Sequence, residues 1–236
     1  MNYKTYLVFI TTLLIVIPSI ISDIPMSSSQ LINIYYGDYD ESLFEKHIDI
    51  PIVAVVNQNA GIVGRVRINL LKSNNNMVVL DSRVKFNETT ISSILDSIII
   101  SKEVTKKQGD FFISYDLKSE SISGKSTGAS LTLGMIALLE NLEYNKNSIV
   151  SGFFDESKVL QKTGGLPIKI LSISNSQSDT IIIGPNQRTH TIYEKYQNKI
   201  LTKNIDLQEY AKINNVKLVE TSNLEKVKNM VLNKKL

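Results

Sequence analysis

An apolar run at residues 129–139 (ASLTLGMIALL) constrains the fold most strongly, because it is long and apolar enough to form a buried helix. The segment GKSTG at residues 124–128 precedes the run, so Ser126 lies at the N-terminal end of this helix. Main-chain amides at a helix N-terminus are unpaired and favour negative charge. A hydroxyl at that position lies beside a site for an oxyanion, which makes Ser126 a candidate nucleophile.

A second motif, GGLPIK at residues 164–169, supplies a candidate base. The pair Gly164 and Gly165 permits a tight turn close to neighbouring backbone, and the proline that follows suits the first turn of a helix. Lys169 then falls within that helix and is able to point back towards Ser126. Burial lowers the pKa of a lysine enough for it to act as a base, and a Ser–Lys pair is a known variant of the serine-hydrolase arrangement.

These motifs resemble those of the proteolytic domain of Lon proteases, the S16 peptidase family. The family's nucleophile lies in a Pro-Ser-Ala-Gly-like segment, which KSTG at residues 125–128 matches in register. Its base lies in Gly-Gly-Leu-x-x-Lys, which residues 164–169 fit at every fixed position. Between them the family has a Thr-Gly whose threonine hydrogen-bonds the lysine, and Ser151 retains the hydroxyl here. The resemblance covers roughly residues 50–236.

The resemblance implies an α+β fold like that of the Lon proteolytic domain, with mixed sheets, an N-terminal β-meander and packed helices. It implies that Ser126 attacks a peptide carbonyl after Lys169 takes its proton, and that Ser151 orients the amine. Backbone amides near the nucleophile would stabilise the oxyanion. The supporting positions flank these residues in the two motifs: Gly124, Lys125, Thr127, Gly164 and Gly165.

The expected substrates are unfolded or loosely folded polypeptides, cleaved without a cofactor or a metal. Full Lon proteins carry an attached ATPase of the AAA+ type, for which 236 residues leave no room. We therefore expect a stand-alone, ATP-independent peptidase. By analogy with the hexameric rings of the family, we also expect a homo-oligomer.

The chain departs from the family pattern at three positions. Ser123 stands where many members have an aspartate, and Phe153 stands where acidic residues are common. Lys125 precedes the nucleophile, where the family has a proline or an acidic residue. Two interpretations of Lys125 stay open: it lowers the pKa of Lys169 by like-charge repulsion, or it points to solvent.

A nucleotide-binding protein is the main alternative. SGKST at residues 123–127 resembles the end of a P-loop, and the acidic pair at residues 155–156 ends a predicted strand like a Walker B motif. A P-loop needs a glycine five positions before the one in this run, where Ser119 stands. This interpretation also leaves the second motif unexplained. A third alternative is an inactive Lon-like binding module, which a lost dyad would indicate, whereas both dyad residues are present.

The N-terminal stretch at residues 6–22 carries no charge and lies between Lys4 and Asp23. Its 17 residues are at the lower limit for a membrane span and slightly long for a signal-peptide core. The preceding lysine predicts that the remainder of the chain lies outside the cytoplasm. Because no Ala-x-Ala-like cleavage site follows, the pattern favours an uncleaved transmembrane helix. The alternatives are a cleaved signal peptide, which would give a secreted protein, and a buried helix of a soluble protein. The predicted division is an anchor or signal segment at 1–25, a tether and first strand at 26–49, and a peptidase domain at 50–236.

Composition argues against several other classes of protein. The net charge is +3, and no basic cluster is interleaved with aromatic residues, so nucleic-acid binding is not expected. The absence of cysteine excludes disulfides and cysteine-based zinc sites. With His47 and His190 as the only histidines, a histidine-rich metal site is not expected either.

Alternation and turn signals predict the order of the remaining elements. Three strands separated by short turns predict the antiparallel meander: 50–56, 62–71 and 77–80. Apolar residues at helical spacing predict a helix over 90–107. Ser222, followed by Glu225 at the capping-box position, predicts the start of a helix at 222–232. Further strands are predicted at 31–36, 110–117, 149–154, 158–161, 180–183 and 216–219, and another helix at 206–214.

Overall fold

The computed structural model describes residues 32–38, 40–57, 60–117, 121–196 and 199–235. No helix among these residues is long and apolar enough to cross a membrane. The most apolar of them, Gly128–Glu140, has 13 residues, whereas a span needs about 20. The prediction of a transmembrane helix is therefore wrong for this part of the chain, and the stretch at 6–22 on which it rested lies outside it.

Within the described residues, five helices and several sheets place the protein in the α+β class, as predicted. The elements in chain order are β1 (Asn33–Gly37), a 3-10 turn (Glu41–Leu43), β2 (Phe44–Asn57), β3 (Ala60–Leu71), β4 (Met77–Asp81), β5 (Lys85–Phe86), α1 (Glu88–Thr105), β6 (Phe111–Asp116), β7 (Ser121–Ile122), α2 (Gly128–Glu140), β8 (Leu142–Tyr144), β9 (Ser148–Ser151), α3 (Leu166–Ser174), β10 (Thr180–Ile183), β11 (Thr189–Tyr196), β12 (Lys199–Asp206), α4 (Leu207–Ile213), β13 (Lys217–Glu220), α5 (Leu224–Val231) and β14 (Leu232–Lys234).

The larger sheet has five strands in the order β1-β4-β6-β3-β2. The pairs β1–β4 and β4–β6 are parallel, and the pairs β6–β3 and β3–β2 are antiparallel. Helix α2 packs on this sheet and is buried from Gly128 to Leu139, because its sequence is apolar on every side. This confirms the buried helix predicted from residues 129–139.

The predicted N-terminal meander is confirmed for its first hairpin, β2–β3, and wrong for its third strand, because β6 lies between β3 and β4. Asp110, which precedes β6 and is fully buried, binds the turn that follows β3. Its carboxylate accepts hydrogen bonds from Ser73 Oγ at 2.8 Å, the Asn75 amide at 2.6 Å and the Met77 amide at 2.9 Å. The turn that was expected to close a hairpin is therefore bound to the start of β6. Strand β4 then pairs with β6 in parallel through the crossover helix α1, as parallel neighbours require.

Replacing Asp110 with alanine is expected to destabilise the protein by about 2–4 kcal/mol, because two main-chain amides and a hydroxyl lose their acceptor. Asp116 at the other end of β6 is the matched control, since its ion pair with Arg65 is exposed and such pairs contribute at most about 1 kcal/mol. Urea unfolding of the two alanine variants measures the difference. Equal losses in both variants would contradict the role given to Asp110.

A second, parallel sheet has three strands in the order β13-β10-β9. Helices α3 and α4 pack against it through a second apolar core. The buried members of this core are Val53, Ile149, Leu166, Ile170, Ile173, Ile181, Ile183, Leu207, Ala211, Val216 and Leu218. Strand β9 of this sheet ends at Ser151. The second core holds α3, which carries Lys169, against the sheet.

Three local predictions in the C-terminal half need correction. Residues 158–161 form only isolated bridges, Phe154 with Leu160 and Val159 with Asn223, instead of a strand. Helix α5 is capped by Asn223 instead of Ser222, and the Asn223 side chain accepts from the Glu225 and Lys226 amides. The β11–β12 hairpin was not predicted at all.

Candidate active site

The loop that carries Ser126 is held by hydroxyl groups on one face of α1. Thr90 Oγ1 donates to Asn87 Oδ1 at 2.8 Å and lies 3.3 Å from the Gly124 carbonyl, and Ser93 Oγ donates to the Lys125 carbonyl at 3.4 Å. One turn further along, Ser97 Oγ donates to the Gly128 carbonyl at 2.8 Å. Positions three and four apart share a helix face, so these hydroxyls form a continuous support under the loop. The carbonyls of the loop therefore face the hydroxyl groups of α1.

Several main-chain amides of the same loop are left without a protein acceptor. Residues 125–128 form a turn in which the Gly128 amide donates to the Lys125 carbonyl at 3.0 Å. Within the described residues, the amides of Lys125, Ser126 and Thr127 have no acceptor, and neither does the half-buried Ser126 hydroxyl. Unpaired amides beside a hydroxyl are the groups that an oxyanion site requires.

Lys169 lies in the first part of α3, and its side chain turns inward with 3% of its surface exposed. Its Nζ donates to Thr163 Oγ1 at 2.7 Å and to Ser151 Oγ at 3.0 Å. No carboxylate of the described residues forms an ion pair with it. Burial therefore lowers the pKa of Lys169 from 10.5 to about 8.

Ser126 and Ser151 are joined through the main chain. The Gly152 amide donates to the Ser126 carbonyl at 2.8 Å, and the Gly152 carbonyl accepts from the Ala129 amide at 2.9 Å. The end of β9 thus runs beside the nucleophile loop, and Ser151 connects it to Lys169. Ser126 Oγ and Lys169 Nζ are not hydrogen-bonded in this structure, as is common for catalytic pairs before substrate binds.

The glycines of the two motifs have different structural roles. Gly124 has φ +101° and Gly165 has φ +67°, so both lie in the left-handed region where a side chain is strained. A Cβ at Gly165 would also lie 2.6 Å from Val55 Cγ2, because β2 passes over the start of α3. Gly164 is exposed and has open space around it, so nothing in the packing requires a glycine there.

Lys125 contacts other groups than Lys169. Its ammonium lies 5.3 Å from the centre of the Phe153 ring and 3.8 Å from an oxygen of Asp96. Burial alone accounts for the lowered pKa of Lys169, so Lys125 has no part in it. Thr127 is buried, and its hydroxyl forms a hydrogen bond of 3.3 Å with Tyr115 Oη.

Sequence reasoning missed two residues of the site, Thr163 and Gln187. Thr163 contacts the lysine directly, and a hydroxyl placed just before the glycine pair was the signal for it. Gln187 Oε1 accepts from the Thr163 amide at 2.9 Å, and Gln187 Nε2 donates to the Gly184 carbonyl at 3.0 Å. Gln187 follows β10 in a loop, and nothing in the sequence pattern marks it.

Three carboxylates of the strands and loops near the two motifs bind groups other than Lys169. Asp110 binds the turn after β3, and Asp116 pairs with Arg65. Asp155, the first acidic residue of the Walker B-like pair, accepts from the Val159 amide at 2.9 Å and from Gln161 Nε2 at 2.6 Å. Strands β6 and β9, which would have to flank a nucleotide, belong to different sheets. This arrangement offers the nucleotide-binding alternative no support.

Neither a protein-family model nor a curated protein matches this sequence. The geometry of Ser126, Ser151, Thr163 and Lys169 is therefore the basis for assigning a function.

Proposed function

We propose that this protein is a serine endopeptidase in which Ser126 is the nucleophile and Lys169 the general base, on a Lon-like α+β domain. The observation that carries the proposal is the state of Lys169. Its side chain is buried and forms no ion pair with a carboxylate of the described residues. Two hydroxyls beside the loop of Ser126 accept hydrogen bonds from its amine. A pKa of about 8 leaves roughly a tenth of the amine neutral at pH 7, and more above it. A lysine kept only for structure would have no need of such a site.

The reaction proceeds through an acyl-enzyme. Ser126 Oγ bonds to the peptide carbonyl carbon while its proton passes to Lys169 Nζ, and the carbonyl oxygen becomes an oxyanion. The unpaired amides of residues 125–127 donate to that oxyanion. The C–N bond then breaks as the Lys169 ammonium gives its proton to the leaving amine. Water, deprotonated by the same lysine, hydrolyses the ester and Ser126 regains its proton.

A cavity of about 640 Å³ beside this loop is suited to side chains of a polypeptide substrate. Its walls are one face of α1 and the segment at residues 153–157, and they combine apolar and acidic groups. Lys125 connects the walls through Asp96 and Phe153. We propose unfolded polypeptides as substrates, with a side chain of the extended chain bound in this recess, and no requirement for ATP.

Cleavage of denatured casein by residues 27–236 without nucleotide tests the proposal, together with covalent capture by a fluorophosphonate probe. We expect proteolysis whose rate rises with pH through about 8, and a probe adduct at Ser126 by mass spectrometry. An adduct on another serine would refute the assignment. Absence of cleavage, together with ATP binding that is lost in Lys125→Ala, would favour the nucleotide-binding alternative.

A further inference from the structure

We infer that Thr163, positioned by Gln187, fixes the direction of the Lys169 lone pair and so makes the lysine competent to accept the proton of Ser126. This inference rests on the proposed function and deepens it. Thr163 is a positioning residue, because it acts through Lys169 and does not touch the substrate. Its role is additional to that of Ser151, which comes from a different part of the fold.

The inference starts from the valence of the amine. A neutral lysine amine has two N–H groups and one lone pair around nitrogen, in addition to its bond to Cε. The two acceptors within reach, Thr163 Oγ1 at 2.7 Å and Ser151 Oγ at 3.0 Å, take both hydrogens. The lone pair then occupies the one remaining tetrahedral direction. With a single acceptor the amine would rotate about the Cε–Nζ bond, and the lone pair would have no fixed direction.

The two acceptors have independent supports. Ser151 ends β9 and is fixed by the parallel pairing of that strand with β10. Thr163 lies in neither a helix nor a strand, so its position depends on Gln187, whose carboxamide bridges the Thr163 amide and the Gly184 carbonyl. A contact of 3.4 Å between Ser151 Oγ and Thr163 Oγ1 closes the triangle around Nζ. Since no described charged side chain pairs with Lys169, the hydroxyls alone orient it.

Gln187 is nearly buried, and both the oxygen and the nitrogen of its carboxamide form hydrogen bonds. This is the arrangement expected of a rigid support. The carboxamide joins the end of β10 to the loop before α3. The most direct route by which a change at Gln187 reaches the lysine is through Thr163, whose amide it binds. That dependence separates the inferred role from general packing, because it predicts that the two residues do not act additively.

The test uses the full chain and four variants: Thr163→Val, Thr163→Ser, Gln187→Met and the double variant Thr163→Val/Gln187→Met. Thr163→Val keeps the shape and removes the acceptor, so we expect kcat to fall about ten- to a hundredfold with KM within about twofold. Thr163→Ser should restore most of the rate. Gln187→Met should lower kcat about tenfold alone and add little to Thr163→Val. The exposed neighbour Lys162→Ala is the matched control.

A second readout does not depend on turnover. In protein labelled with ¹³C at lysine Cε, the resonance missing from Lys169→Met identifies Lys169, and its shift against pH gives its titration midpoint. An acceptor favours the charged amine, so its removal in Thr163→Val should lower the midpoint below that of the wild type. A variant that merely loosened the site would admit water and raise the midpoint towards 10.5.

The outcomes separate this inference from the proposed function. Unchanged kcat together with an unchanged or raised midpoint in Thr163→Val overturns the inference and leaves the peptidase intact. Additive losses in the double variant overturn the role given to Gln187. A wild type that cleaves nothing refutes the peptidase, and the lysine titration then still decides whether Thr163 holds the amine.

Discussion

Ser126→Ala and Lys169→Met are each expected to lower the rate of casein cleavage by at least about a thousandfold. The alanine variant has no oxygen to form the acyl-enzyme, and the methionine variant has no group to take the serine proton. Residual activity should come only from the oxyanion amides and from substrate binding. Because the two residues act as a unit, we expect the double variant to be no slower than the worse single variant.

Initial rates at about pH 8.5, near the expected plateau, measure this effect. Two controls are matched in place and chemistry. Ser123→Ala changes an exposed serine of the same loop, whose hydroxyl only accepts from Asn87 Nδ2 at 2.7 Å. Lys162→Met changes an exposed lysine before the glycine pair. Both should retain the wild-type rate within about threefold, as substitutions at exposed positions usually do. Cleavage that persisted in both catalytic variants would refute the assignment of Ser126 and Lys169 as the catalytic dyad.

The elements that the sequence predicted well are those with strong local signals. Helix α2 follows from an apolar run without a polar side, and α3 follows from a glycine pair, a proline and the apolar residues after them. The predicted starts of these helices also place Ser126 just before α2 and Lys169 in the first part of α3. Helical spacing likewise located α1 to within two residues at each end.

The order of the strands could not be read from local signals, because it depends on contacts between distant segments, among them those of one buried side chain. The turn at residues 73–76 has the composition of a hairpin turn, yet its amides bond to Asp110, more than 30 residues later. No window of the sequence around the turn contains that information. The hairpin β11–β12 was missed for a different reason. Its sequence, THTIYEKY followed by KILTKNID, does not give a clean alternation of apolar and polar residues.

The candidate site shows the same division between local and distant information. Both motifs were visible in the sequence, and the apolar site that a neutral Lys169 needs would be expected from its neighbours Leu166, Ile168 and Ile170. In the structure Leu166 and Ile170 are buried in the second core and Ile168 is half-buried, whereas the groups that touch Nζ come from outside α3. Thr163 and Ser151 meet there only because β9 and the loop before α3 fold together. A pattern search along one chain cannot place two hydroxyls 3.4 Å apart.

The burial of Lys169 is expected to make the protein less stable below pH 8 than above it. The pKa of Lys169 is 10.5 in the unfolded chain and about 8 in the folded protein. Between pH 8 and 10.5 the unfolded chain therefore binds more protons than the folded protein. Stability due to this group therefore rises with pH from about 8 to 10.5, by about 3 kcal/mol in total. Below pH 8 both states are protonated, and the full penalty of the buried ammonium is present.

Lys169→Met removes that penalty while it leaves two hydroxyls without their donor, a loss of about 1 kcal/mol each. We therefore expect the variant to be about 1 kcal/mol more stable than the wild type at pH 7, and less stable than it near pH 10. Urea unfolding at several pH values between 6.5 and 10 measures the difference, in which the titration of all other groups cancels. Lys162→Met, at an exposed position, should show no such crossover. A difference that stayed constant with pH would mean that Lys169 remains charged in the folded protein, and a charged amine has no lone pair to accept the proton of Ser126.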